Sequence, residues 1–237
     1  INKKFHKFKM NLGALVASAF LTLYPTDYQT ANFHLQHQNP PIYAQAPEDL
    51  SSKLMQEAEA LLKKNPKNPY PAIKIYRQII NAGSLLKDEA ISIILDTYNS
   101  LVKEEFREKD VKNAFRFYEE VIEKHKGPNL AKTHLYYGIL LCSWQVPKNV
   151  EDGIKHLKEA YRIGDIQIKA EAAFNLGLVE LTYAGGSPIP HAEHLEIKLT
   201  LSNARNYFKK VIELSPDSEL AKRAEEIIQD IIDTKSN

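Results

Sequence analysis

AIKIYRQI (72–79), AFRFYEEV (114–121), GIKHLKEA (153–160) and ARNYFKKV (204–211) are four versions of one helical phrase. Each opens on a small residue (Ala72, Ala114, Gly153, Ala204). A bulky apolar one follows four positions later (Tyr76, Tyr118, Leu157, Phe208), then a smaller apolar one after three more (Ile79, Val121, Ala160, Val211). At 3.6 residues per turn these offsets fall on one face of a helix. The small residue lets a neighbouring backbone come close, and the ring or Leu fills the space beside it. The starts are 42, 39 and 51 residues apart, a loose period in the range of stacked helical hairpins. Such stacks bury their faces against one another and offer an extended surface to other macromolecules.

Punctuation around the phrases predicts helix pairs. Leu50, Leu54, Ala58, Leu61 and Leu62 recur at helical steps over 48–64, and NPKNP (65–69) stops that run. A helix over 70–82 ends at Gly83, and Ser84 is placed to cap one over 85–104. Asp110 is read as the cap of 111–125, which Gly127-Pro128 closes; 129–145 stops before Pro147. Asn149 is read as the cap of 150–163, and Asp165 as that of 166–184. Helix 198–214 ends at Ser215-Pro216, and a last helix covers 218–233. No run alternates with period two. The expected fold is all-α: an α-solenoid of about four antiparallel helix pairs plus a C-terminal capping helix. The pairs are 48–64 with 70–82, 85–104 with 111–125, 129–145 with 150–163, and 166–184 with 198–214.

Composition bounds the rest. The 237 residues carry 31 Lys and Arg against 30 Asp and Glu. Residues 1–46 hold Lys3, Lys4, Lys7 and Lys9 against Asp27 alone, and the remainder has 27 basic and 29 acidic residues. That near-neutral balance gives no footprint for nucleic acid, which is not an expected partner. The one cysteine, Cys142, can form neither an intrachain disulfide nor a cysteine-based zinc site. It lies in an apolar helical run and reads as a small core residue. The carboxylates Glu119, Glu120 and Glu123 read as a wet helix face.

Residues 1–46 read as a leader and 47–237 as the folded domain. A basic start (KKFHKFK) precedes the apolar run MNLGALVASAFLTLY (10–24), which is short for a membrane span. Ala44 and Ala46 suit a signal-peptidase site, with cleavage after Ala44. Twenty residues separate that site from Tyr24, a long polar tail for a secretory signal. A cleaved export signal, an uncleaved membrane tether, a mitochondrial presequence and a buried first helix are all open readings. Export, to a periplasmic or membrane-tethered position, is the first of these, with a mitochondrial destination as the alternative.

The last two pairs carry a family resemblance. EAAFNLGLVEL (171–181) is similar to the aromatic–x–Leu–Gly segment of tetratricopeptide repeats, at Phe174, Leu176 and Gly177. NARNYFKKVIELSPDS (203–218) matches their closing pattern at Ala204, Phe208, Val211 and Pro216, and HLYYGILL (134–141) places Gly138 at the corresponding glycine. The chain over about 70–237 resembles that family or its Sel1-like relatives. NVEDGIKHLKEAYRIG (149–164) is similar, more weakly, to mitochondrial fission adaptors, which end in a membrane anchor where this chain ends in DTKSN. The long stretch between Tyr183 and Lys198 and the glycine at Gly153 depart from the repeat pattern.

The resemblance implies a protein-binding scaffold whose first helices line a concave face. Carried onto matching positions, that face comprises Lys132, Tyr136, Ile139 and Ser143 from one repeat, and Phe174, Asn175, Leu178 and Thr182 from the next. Asn175 stands out because an amide can both donate to and accept from an extended peptide backbone. The family's clamp for C-terminal carboxylates needs Lys and Asn where this chain has Leu135 and Ile139, so that ligand is disfavoured. Expected partners are one or more proteins, a second copy of the chain among them, with a membrane engaged only through the N-terminal segment. No cofactor and no metal are expected, and the protein is not expected to be an enzyme. There is no Gly-rich phosphate loop, no G-x-S-x-G and no H-E-x-x-H. In GGSPIPHAEHLE (185–196), His191, Glu193, His194 and Glu196 could offer ligands to a divalent ion, although a solvated loop also explains them.

Overall fold

A computed structural model describes residues 45–105, 107–143, 147–184 and 200–235. Residues 1–44 of the leader expected over 1–46, and the His191/His194 loop, lie outside these residues. Among the described residues there are nine helices and no strand, so the all-α fold class holds. They divide into two compact units between Ala114 and Phe115.

In the first unit, α1 (Gln45–Lys64) ends on Lys63 and Lys64, whose charge suits the helix C-terminus. α2 (Tyr70–Asn81) takes Pro71 in its first turn, where a missing N–H costs nothing. It stops at Gly83, whose φ of 65° is the left-handed conformation only glycine adopts without strain. α3 (Lys87–Glu105) starts two residues later than expected. Ser84–Lys87 close a turn first, and the Ser84 hydroxyl accepts from the Leu86 N–H at 3.2 Å. α1 packs on α2, and α2 on α3.

α4 (Glu108–Lys124) corrects the expected cap at Asp110. The Arg107 carbonyl already accepts from the Asp110 and Val111 N–H groups, so the helix begins before Asp110. That carboxylate is buried, accepts from the Tyr70 hydroxyl, and takes the Arg107 Nε–H at 2.6 Å. Asn113 donates to the Tyr70 oxygen at 3.2 Å, and the Lys109 ammonium lies 4.7 Å from the Tyr70 ring centre. Asp110 therefore ties α4 to α2 rather than starting a helix.

The second unit holds α5 (Leu130–Ser143), α6 (Pro147–Ile163), α7 (Ile166–Ala184), α8 (Leu201–Leu214) and α9 (Glu219–Lys235). The expected cap at Asn149 is also corrected, because α6 opens at Pro147, whose fixed φ is ready-made for a first helical position. Asp165 caps α7 as expected, accepting the Ile168 N–H at 2.8 Å. Thr200 caps α8 through the Asn203 N–H, and Ser218 caps α9 through the Ala221 N–H, both at 3.1 Å. α5 packs on α6, α7 on α8, α6 on α7, and α9 on α8. Three expected pairings thus form within units; the fourth, 85–104 with 111–125, involves α4, which runs across the division. All twelve positions of the repeat phrase are buried.

Candidate partner-binding face

The α5–α6 hairpin closes on two glycines. A Cβ on Gly138 would stand 2.9 Å from the Gly153 carbonyl oxygen and 2.8 Å from Leu157 Cγ. One on Gly153 would stand 2.9 Å from the Gly138 carbonyl oxygen. Backbone meets backbone there, so Gly153 is the small residue its helix needs. Cys142 sits one turn along in the same seam. It is buried, and burial pushes its thiol up to about 12, far from a reactive thiolate. Leu135, Ile139, Ile154, Leu157, Leu176 and Val179 join it in one core.

α7 is enclosed. It touches α5, α6, α8 and α9, and every residue from Ala172 to Leu181 is buried. Gly177 admits the Phe208 ring, which a Cβ would meet at 2.8 Å, and Phe174 stacks edge-on against Phe208 with ring centres 5.5 Å apart. Arg223 of α9 lies over the Phe174 ring, 5.9 Å from its centre.

This enclosure redistributes the eight expected face residues. Phe174 and Leu178 are packing residues, at 0% and 1% exposure, and Ile139 is buried at 8%. Asn175 is corrected most sharply. It is 4% exposed, and its amide donates to the Glu171 carbonyl of its own helix at 2.8 Å. At this point a largely apolar helix is packed by its neighbours, and the amide turns to its own backbone. Ser143 is exposed and Thr182 half-buried, yet both hydroxyls turn back onto the carbonyl four residues earlier, at 2.8 and 2.7 Å. Lys132 and Tyr136 remain together at the surface of α5. Both are partly exposed, with the ammonium 5.8 Å from the ring centre.

Two polar constellations escape sequence reasoning. Glu180, 7% exposed, accepts the Thr200 N–H at 2.8 Å and lies 3.4 Å from the Asn203 amide, so one helix secures the start of another. Burial raises its carboxyl above the ordinary range, against the pull of those two donors. The second is a histidine pair, His134 with His156. A signal for it existed: with Gly138 set opposite Gly153, four residues back and three forward bring the two imidazoles together.

No family model matches the chain, and neither a curated protein nor a solved structure does.

Proposed function

We propose that this chain is a non-catalytic scaffold that holds protein partners on an array of helix pairs like those of tetratricopeptide repeats. It supports assembly of a larger complex outside the cytoplasm or at a membrane. One observation carries the reading: the small, bulky and smaller apolar positions of all four phrases are buried alike, as expected where one hairpin design recurs to present a surface. The partner-facing candidates are Lys132 and Tyr136. A tyrosine ring half in water beside a lysine combines apolar area with a charge, at little conformational cost on binding.

The test is capture from native extract by the 47–237 fragment, compared with Lys132→Glu/Tyr136→Ala. The double variant should recover several-fold less of the same partner, with unchanged far-ultraviolet circular dichroism. Equal recovery would remove this face from the reading.

A further inference from the structure

Two imidazoles meet across the α5–α6 hairpin. His134 and His156 face each other Nδ1 to Nδ1 at 2.7 Å, their ring centres 5.0 Å apart and their planes 31° apart. The Tyr137 ring closes one side of His156 at 4.6 Å between centres. At that spacing one Nδ1 carries a proton and donates, and the other presents its lone pair. Burial depresses the pKa of both rings, and the proximity of His134 adds to the effect at His156, which falls to about 4. Near neutral pH the pair is uncharged and able to bind as ligands. Both residues remain partly exposed, so water and small ions can reach them. Glu159 lies one turn beyond His156, where its charge acts on both rings, and Asp152 lies one turn before. Arg162 holds the Glu159 carboxylate at 2.8 and 2.6 Å, and Lys155 holds Asp152 at 2.8 Å.

We propose that His134 and His156 bind a divalent first-row transition ion such as zinc through their Nδ1 atoms, with Glu159 supplying a carboxylate. Two imidazoles and a carboxylate are a donor set such ions favour. With Zn–N bonds of about 2.0–2.1 Å in tetrahedral geometry the two nitrogens stand roughly 3.3 Å apart, so the rings, now head-on, part by about 0.6 Å and each turns by roughly 35° to aim its lone pair at the ion. The ring that carries its proton on Nδ1 moves it to Nε2, and no proton is lost. Glu159 leaves Arg162 by a rotamer change. That ion pair is bidentate but open to water at the arginine, which limits the cost of breaking it. Among the described residues no three His, Cys, Asp or Glu side chains already surround a common point. The ion therefore draws the third ligand in, and water completes the shell.

Calorimetric titration of the full chain with zinc chloride near pH 7.5 tests this. One ion should bind, and His191→Ala/His194→Ala should bind it equally well. Affinity should fall at least tenfold in His134→Ala and in His156→Ala, and several-fold in Glu159→Gln. No heat with the unaltered chain would overturn the site, as would loss of binding in the loop variant alone. Unchanged affinity in Glu159→Gln would overturn the carboxylate's part. Should either alanine variant misfold, long-range proton–nitrogen spectra of the unaltered chain decide. Zinc should shift the Nδ1 signals of His134 and His156, and shifts confined to other histidines would overturn the proposal.

Discussion

At the bulky position of the repeat phrase, three residues with rings and one leucine do the same work, and only some carry a hydroxyl. Tyr76 is 1% exposed, and among the described residues its hydroxyl has no hydrogen-bond partner. Burial, with Glu59 and Glu89 in range, pushes its pKa up to about 12. The hydroxyl is thus desolvated without compensation, whereas Phe208 fills the equivalent place with no such cost. Tyr76→Phe should leave stability unchanged or raise it by up to about 1 kcal/mol, and Tyr76→Ala should cost about 3–5 kcal/mol. Urea unfolding midpoints check both; a clear loss in the phenylalanine variant would mean the hydroxyl is bonded. The glycines answer to a different constraint. Gly138→Ala or Gly153→Ala must push two backbones apart and should cost about 1–3 kcal/mol in the same assay. Such positions are legible in sequence because residue size alone reports them. Asn175 is not, because its polarity says nothing about how many helices surround it.

Helix starts show where local signals suffice. Asp165 acts on the helix that follows it, within three residues, so its role was open to reading. Asp110 has the same chemistry but answers to Tyr70, forty residues earlier, and local spacing cannot report that. Glu180 likewise serves a helix start twenty residues on. Glu180→Ala should cost about 1–3 kcal/mol by stranding the Thr200 N–H. Glu180→Gln keeps an acceptor without a buried charge and should recover most of that loss, as thermal unfolding near pH 7 can show. The histidine pair sets a pH dependence. Both folded-state pKa values lie below the unfolded value of about 6.5, so below that pH the unfolded chain binds more protons and stability falls as pH drops toward 4. Glu159 and Asp152 oppose the effect at His156, whereas Lys155 adds to it there and Arg162 adds to it at His134. His156→Asn should remove part of the acid loss between pH 6.5 and 4.5, on the order of 1–2 kcal/mol after solvent screening. Equal slopes in the two proteins would show that the pair does not titrate in that window.

For the molecule as a whole, helix order was readable because proline, glycine and capping residues punctuate nearly every connection. The division between Ala114 and Phe115 was not, since it falls inside α4 and inside one repeat phrase, with no change in composition. Enclosure of α7 was also hidden, as it depends on four helices arriving at once. One of those, α9, tests whether the unit Phe115–Asn237 needs an end piece. It buries Ala221, Ala224, Ile227 and Ile231 and keeps Lys222, Glu225, Glu226 and Asp230 in water, the pattern of a terminal cap over a repeat stack. A large side chain buried there contributes about 1.5–3 kcal/mol, and a domain's whole margin is about 5–15 kcal/mol. Loss of two isoleucines and two alanines, together with new exposure on α7 and α8, takes a large share of that margin. A chain ending at Ser218 should therefore lose hydrogen-exchange protection throughout α7 and α8 and bind a hydrophobic dye. Wild-type protection in both helices would mean that the pairs before α9 already enclose their own core, and that the final helix serves something other than stability.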